Sequence, residues 1–162
     1  MIYATDTMTR KFKNRLVIEV VDPRSGLVVA QSKTYNSRVQ AGGVAVHAAI
    51  FGGAGITFKY ICLTNNAAFA PANTDTTVSG EIVGSGLSRQ AGTVTLASTQ
   101  SVLNGTAQTT ITTSWTASAT ITIYGAGCLS AVSGGTLGFE ATTTATPVSS
   151  GFLVNLSWAF NE

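Results

Sequence analysis

Strict alternation of apolar and polar residues in the last third of the chain is the feature that most limits its fold. Successive side chains of a β-strand point to opposite faces of the sheet, so a period of two predicts strands with one apolar and one polar face. Threonine and serine occupy most of the polar positions, and both tryptophans fall at apolar ones. We therefore expect four antiparallel strands with one buried face and one hydroxyl-coated face: Thr109 to Ala117, Thr120 to Tyr124, Leu137 to Thr146 and Phe152 to Asn161.

Earlier segments carry further strand and turn signals. Asp22 to Gly26 contains a proline with fixed φ and ends in a glycine that tolerates positive φ, so it predicts a tight turn. Arg15 to Val21 and Leu27 to Ser32 flank this turn as the two arms of a hairpin. Thr57 to Thr64 is apolar on both faces, which predicts a central strand, and Ser88 to Ala97 predicts another.

One segment has helical character. Gln40 to Phe51 is alanine-rich and is followed by two glycines, which predicts one short helix.

No linker divides the chain, so residues 1–13 are predicted to be an N-terminal arm and residues 14–162 a single domain. The expected fold is all-β: an antiparallel, jelly-roll-like β-sandwich of about eight strands with one short helix.

The composition limits the setting in which this protein works. Its 162 residues are enough for a substantial core without a metal or a disulfide. Charged residues make up 10% of the chain, against about 25% in typical soluble domains. No apolar run approaches the ~20 residues that a membrane helix needs, so no membrane partner is expected. A surface so poor in charge favours contacts with neighbouring subunits, and we expect a homo-oligomer.

The basic residues are concentrated early in the chain. All nine lie at or before Arg89. An N-terminal basic cluster can indicate nucleic acid, but only Tyr3 and Phe12 are nearby to stack on bases, which disfavours that partner. The alternative is an arm that docks on an acidic neighbour. Its candidate assembly contacts are Arg10, Lys11, Phe12, Lys13 and Arg15.

No catalytic motif is present in the sequence. His47 is the only histidine, so any mechanism with a Ser-His or Cys-His pair would depend on it, and it lies within the predicted helix. Gly84-x-Gly86 and Gly125-x-Gly127 lack the third glycine of a dinucleotide-binding loop and predict bulges or turns instead. There is no Cys-x-x-Cys pair for zinc. We therefore expect no enzyme activity, no cofactor and no metal site.

A calcium site is the strongest metal alternative in the sequence. Oxygen ligands could come from Asn73, Asp75, Thr77 and Glu81. However, Val78 occupies the position where a helix-loop-helix calcium loop requires glycine, and Gly84 the position where it requires glutamate.

The two cysteines, Cys62 and Cys128, lie in apolar segments at unrelated spacing. Buried, reduced thiols are the expected state in a reducing cytoplasm. A disulfide between them stays open as an alternative if their strands are neighbours.

Exposed aromatic residues could bind a sugar. Both tryptophans fall on inward faces and are expected to pack in the core. Tyr124 falls on an outward face and is the candidate exposed binding aromatic, with Tyr35 as a second.

The first ten residues, Met1 to Arg10, contain neither an apolar segment nor a small-residue cleavage site, so no signal peptide is predicted. The threonine-rich, charge-poor body nevertheless suits life outside a cell. A virus particle assembled in the host cytoplasm satisfies both observations.

The order of motifs resembles a known group of proteins. The segments that carry the resemblance are Asp22–Gly26, Asn36, Gly42-Gly43, Ile50–Gly53, Tyr60–Thr64, Thr74–Thr77, Glu81–Val83, Gly86–Arg89, Gly125–Leu129, Ser133–Leu137 and Trp158. With these segments, the chain from about residue 16 to 160 is similar to a loosely defined group of tailed-phage virion proteins of the head-decoration, head-fibre or tail-fibre-associated type. Two segments depart from the pattern: Gly127 to Leu129 is Gly-Cys-Leu instead of Gly-Leu-Phe, and Ser149 to Gly151 replaces an acidic turn.

The resemblance implies a structural role without catalytic residues. The expected function is a capsid decoration (cement) protein that binds the head surface, with copies of itself and the major capsid or other virion proteins as partners. A tail, collar or fibre-attachment component is the alternative within this class. A carbohydrate-binding module that uses Tyr124 or Tyr35 is the alternative from a different class.

Overall fold

The computed structural model describes residues 15–35, 37–38, 57–98 and 107–161. These residues form ten strands and no helix. No helix that is both long and apolar enough to cross a membrane occurs among them. The strands are β1 (Arg15–Val21), β2 (Val28–Tyr35), β3 (Ser37–Arg38), β4 (Tyr60–Thr64), β5 (Gln90–Ala91), β6 (Thr93–Ser98), β7 (Ala107–Thr116), β8 (Ile121–Leu129), β9 (Leu137–Val148) and β10 (Leu153–Asn161).

The strands form two five-stranded antiparallel sheets. Sheet A has the order β2-β1-β10-β7-β6, and sheet B has the order β3-β9-β8-β4-β5. The predicted all-β sandwich is confirmed, with two-residue strands β3 and β5 raising the strand number above the expected eight. The predicted helix at residues 40–51, the arm at residues 1–13 and the domain boundary at residue 14 lie outside the described residues.

Alternation places one face of sheet A in the core. Burial of each large aliphatic or aromatic side chain contributes about 1.5–3 kcal/mol, so this register is strongly preferred over one shifted by a residue. Trp115 of β7 and Trp158 of β10 are both buried, so the two tryptophans point inward as predicted. Each buried residue of β1 lies opposite a buried residue of β10: Leu16 opposite Trp158, Ile18 opposite Leu156, and Val20 opposite Val154.

The chain changes sheets at Gly92, between β5 in sheet B and β6 in sheet A. The Gly92 N–H donates to the carbonyl oxygen of Lys59 at 2.7 Å. A Cβ atom at position 92 would lie 2.4 Å from Cγ2 of Ile111, so only glycine permits this approach. The single strand predicted from Ser88 to Ala97 is therefore wrong in detail, because the chain bends from one sheet into the other within it.

The opposite side of the sandwich is closed by a hydrogen-bonded contact between β2 and β9. Ser32 is buried, and its Oγ accepts hydrogen bonds from the backbone N–H of Thr144 at 3.1 Å and from its hydroxyl at 3.0 Å. The β8–β9 register shifts between Ile123 and Gly125. Such a shift bends the bulged strand locally, and here it lies beside the segment that meets β2.

The outer face of sheet B is covered by the chain between β4 and β5, which we call the covering loop (residues 65–80). Phe69 and Val78 from this loop join Cys62 and two leucines in a second apolar cluster. A Cβ at Gly125 would lie 2.5 Å from the ring of Phe69, and one at Gly127 would lie 2.2 Å from Cγ2 of Val78. Gly125 adjoins the β8–β9 register shift, which agrees with the bulge predicted at this segment. Gly127 is instead a paired strand position, where the missing side chain makes room for the loop.

Gly127→Ala should destabilise the protein by about 1–3 kcal/mol, because the added methyl group overpacks the contact with Val78. The matched control is Gly84→Ala, where an added Cβ meets no atom within 4 Å. That control should change the free energy of unfolding by less than about 0.5 kcal/mol. Equilibrium urea denaturation measures both, and equal stabilities would contradict the proposed fit of the loop.

Candidate functional site

The outer face of sheet A carries a broad polar groove with a volume of about 790 Å³. Most of its lining comes from the strand positions that alternate with the buried ones, so the same period that fills the core also builds this surface. Antiparallel pairing aligns the side chains in rows across the sheet. The groove is lined by Arg15, Val17 and Glu19 on β1, Gln31 and Lys33 on β2, Asn155 and Ser157 on β10, and Thr112 and Ser114 on β7, among others.

The charges of the groove lie on one side. Arg15, Glu19 and Lys33 belong to β1 and β2, whereas the lining on β10 and β7 offers hydroxyl and amide groups. The Gln31 side-chain amide donates a hydrogen bond to the Glu19 carboxylate. Among the described residues that line the groove, Glu19 is the one carboxylate and none is histidine or cysteine. This arrangement suits hydrogen bonding to a polar partner.

Gln90 forms the far wall of the groove, where the chain crosses between the sheets. Its side-chain Nε2 donates to Oγ1 of Thr113 at 2.8 Å and to the carbonyl oxygen of Ser114 at 2.5 Å. These bonds tie the strand crossing to β7 and give the wall a defined position.

The β1–β2 turn is held by its own side chains. The Asp22 carboxylate accepts hydrogen bonds from the Arg24 N–H at 2.9 Å and from the Ser25 hydroxyl at 3.2 Å. Gly26 adopts φ +69° and donates its N–H to the Asp22 carbonyl oxygen at 2.8 Å. The turn predicted at residues 22–26 is confirmed, and it gives the start of β2 a fixed position.

Three aliphatic residues directly after this turn are exposed, and we call them the apolar edge: Leu27, Val28 and Val29. Their exposed fractions are 66%, 48% and 55%. The β1–β2 register shifts so that Val21 lies opposite Val28, and Val29 is the extra residue of this bulge. Among the described strands, β2 pairs with β1 alone. The apolar edge therefore combines exposed aliphatic side chains with a strand edge that no described strand extends.

The predicted contact residues are only partly described. Residues 10–13 and His47 lie outside the described residues. Arg15 begins β1, is exposed and lines the polar groove. Tyr35 is 67% exposed and lies opposite Arg15 on the outer face of sheet A. Tyr124, the candidate exposed binding aromatic, is half-buried beside the β8–β9 register shift, and its role in binding stays a prediction.

The alternative calcium site is not formed by the predicted ligands. Both carboxylate oxygens of Glu81 are bound by Arg89, and Oδ2 of Asp75 accepts the Ala72 N–H at 2.8 Å. Throughout the described ranges, no group of three or more His, Cys, Asp or Glu side chains is arranged to hold a metal ion.

Arg89 joins three separate segments of the chain. Its Nε donates to Oε1 of Glu81 at 2.8 Å, and Nη2 bonds the other carboxylate oxygen. Its Nη1 donates to the carbonyl oxygens of Ala131 at 3.1 Å and Gly134 at 2.7 Å. The hydrogen bond with Glu81 raises the pKa of Arg89 further above its usual value. The turn predicted at residues 133–135 is confirmed, and Arg89 fixes it against the segment that follows the covering loop.

Cys62 and Cys128 lie on adjacent strands but on opposite faces of sheet B. Cys128 lies opposite Ile61, and Cys62 lies opposite Gly127. Because neighbouring residues of a strand point to opposite faces, the two sulfur atoms are separated by the sheet. Both cysteines are buried and unpaired, as expected, and the alternative of a disulfide is wrong. Burial raises the pKa of Cys62 to about 12 and also raises that of Cys128, so neither is ionised at neutral pH.

Glu140 is a buried acidic residue that the sequence pattern did not reveal. Alternation places it on the polar face of β9, but the side chain is completely buried. Among the described residues, no donor group reaches either of its carboxyl oxygens. Burial and, after it, the effect of Asp75 in the covering loop raise the pKa of Glu140 to about 8. One feature of the sequence could have drawn attention to this residue: Glu140 is the one charged residue between Gln90 and Asn161.

Comparison with protein-family models, with curated proteins and with solved structures finds no match for this chain.

Arg89→Ala should destabilise the protein by about 3 kcal/mol, because it leaves a largely buried Glu81 carboxylate without its partner. Arg24→Ala is the matched control, since Arg24 is an exposed arginine in the β1–β2 turn. That control should cost less than about 0.5 kcal/mol. Urea denaturation of both variants tests the claim, and a small loss at Arg89 would show that the ion pair contributes little.

Proposed function

We propose that this chain is a structural protein of a tailed-phage particle, a capsid decoration protein that binds the head surface and neighbouring subunits. The observation that carries the proposal is the apolar edge. Strand edges of soluble proteins are usually protected by charges, proline or a covering segment. Residues 27–31 contain no charged residue and no proline, although three of them expose large aliphatic side chains. Such an edge suits the addition of a strand from another polypeptide.

The chemistry of the groove supports the same class of function. Its lining is mostly neutral hydroxyl and amide groups, with the few charges confined to β1 and β2. A surface of this kind makes many weak hydrogen bonds over a wide area. That property fits a protein held by extended contact with a shell.

The resemblance adds the viral setting to this proposal. Several of the motifs that carry it build rigid parts of the fold: residues 22–26 form the hairpin turn, and residues 86–89 and 133–137 contribute to the Arg89 contact. The basic arm contributes a second contact in this proposal. Arg10, Lys11 and Lys13 precede the groove residue Arg15 and would bind an acidic surface of a neighbouring subunit.

Copy number separates the decoration role from the tail, collar or fibre-attachment role. A decoration protein repeats over the whole shell, so its copy number follows that of the major shell protein. A collar or fibre component occupies one ring or a few positions. Quantitative mass spectrometry of purified particles measures the ratio, and a value far below that of the shell protein would favour the alternative.

The apolar edge can be tested directly with Val29→Lys in the particle. We expect incorporation to fall at least about tenfold, since a loss of 1.4 kcal/mol in binding suffices for that change. Val83→Lys is the matched control, because Val83 is 82% exposed and does not belong to the apolar edge. Normal incorporation of Val29→Lys would contradict the proposed contact. The same loss for both variants would show a general effect of added charge.

A carbohydrate-binding role is the second candidate, and one observation favours it. Tyr35 is 67% exposed beside Arg15, at the margin of a groove rich in hydrogen-bonding groups. An aromatic ring next to such groups is a common way to bind a sugar ring. Glycan-array binding that Tyr35→Ala removes and Tyr124→Ala retains would support this role. Binding that is absent, or that is unaffected by Tyr35→Ala, would reject it.

A further inference from the structure

Glu140 occupies an unusual position under the covering loop. It lies opposite Gly127 of β8 and Ser37 of β3, on the outer face of sheet B. The side chain is 0% exposed, yet no donor reaches either carboxyl oxygen. An ionised carboxylate is strongly disfavoured in such surroundings, because it loses its water without gaining a partner. The group therefore needs a neutralising partner in the closed structure.

Asp75 is the titratable group that acts on Glu140. It belongs to the covering loop, and its Oδ2 is held by the Ala72 N–H at 2.8 Å. Its own N–H donates to the Ala72 carbonyl oxygen at 3.1 Å, so the loop fixes the position of its carboxylate. Two carboxyl groups that face each other attract only if a proton or a cation lies between them. A proton completes this pair without any further ligand.

We propose that Glu140 stays protonated at neutral pH and donates a hydrogen bond to the Asp75 carboxylate. This shared proton holds the covering loop against sheet B, and its loss releases the loop. The proton forms a covalent O–H bond to one carboxyl group and a hydrogen bond to the other. The apolar contacts of Phe69 and Val78 hold the rest of the loop in place. The carboxyl pair makes that closure sensitive to pH.

Among the described side chains, the other titratable groups near Glu140 do not replace the proton. On β4, Cys62 lies beyond Gly127 in the same row, and its pKa of about 12 keeps it neutral. Glu81 is already paired with Arg89. On β3, Ser37 lies opposite Glu140, and Arg38 lies opposite Phe139. Within the described ranges, Asp75 is therefore the titratable group that acts on Glu140.

The direction of the pH effect follows from the pKa of Glu140. Burial, followed by the effect of Asp75, raises this pKa from 4.5 to about 8 in the closed structure. The closed loop therefore binds the proton more tightly than the open loop. Its extra stability is fully present below pH 4.5 and is lost as the pH rises to about 8. Across this window the ratio of open to closed loop increases by up to about tenfold per pH unit.

Cys62 reports opening of the loop, because it packs under Phe69 and Val78. Cys128 packs in the main core on the other face of sheet B and reports global unfolding. The experiment alkylates the intact protein with a maleimide between about pH 6 and 9 and locates the label by peptide mass spectrometry. Glu140→Gln is compared at each pH, because its amide can donate to Asp75 but cannot titrate. Dividing the wild-type rate by the variant rate removes the pH dependence of the thiol itself.

We expect the ratio of Cys62 labelling rates, wild type over Glu140→Gln, to rise by up to about tenfold per pH unit from pH 6 to about 8 and then to level off. The same ratio for Cys128 should stay near one. A Cys62 ratio that does not change with pH would overturn the proposal, and so would a complete lack of labelling in both proteins.

Direct titration of the wild-type protein tests the proposal independently of the variant's folding. Carbon-13 NMR of glutamate side chains should show one carboxyl group, Glu140, that titrates far above its ordinary value. Asp75→Asn should lower that pKa, since the amide supplies a donor. Titration of Glu140 near 4.5 would overturn the shared proton. Bound calcium or another divalent metal, whose removal by a chelator frees Cys62, would equally overturn it in favour of a cation.

Discussion

Burial of sheet B on both faces is the constraint on which the rest of the structure depends. One face packs against sheet A in the main core, and the covering loop packs on the other. The loop can approach so closely because Gly125 and Gly127 present no side chain to Phe69 and Val78. The same closure buries Cys62 and Glu140, which would otherwise face water. Sheet A has no comparable cover in the described residues, so its outer face carries the polar groove.

The period-two pattern predicted the strands well but could not predict what covers them. It places Trp115, Trp158 and their neighbours correctly, because burial of one face of an amphipathic strand is a local property of the sequence. It places Glu140 on a polar face and leaves it there, although a loop distant in sequence buries that face. The function of Gly127 is hidden for the same reason. Its contact partner, Val78, lies far away along the chain.

In the candidate site, too, some residues could be predicted from the local sequence, whereas others depend on contacts between distant parts of the chain. Arg15 could be selected from its charge, and Tyr35 from its aromatic ring. The apolar edge could not be selected, because Leu27, Val28 and Val29 look like an ordinary buried segment in the sequence. Their exposure follows from the register shift opposite Val21 and from the position of β2 at the edge of sheet A. Sheet order is a property of the whole fold.

The extent of the free edge bears on how a partner would bind. The contact between Ser32 and Thr144 occupies the middle of β2, so the apolar edge and the turn before it form the open part. A strand added there would gain only a few backbone hydrogen bonds, each contributing about 0.5–1.5 kcal/mol. Specific binding must then come from the aliphatic side chains and from further contacts in the groove or the basic arm. Weak contacts of this kind become effective when many linked copies bind together, which is the condition that a repeating shell provides.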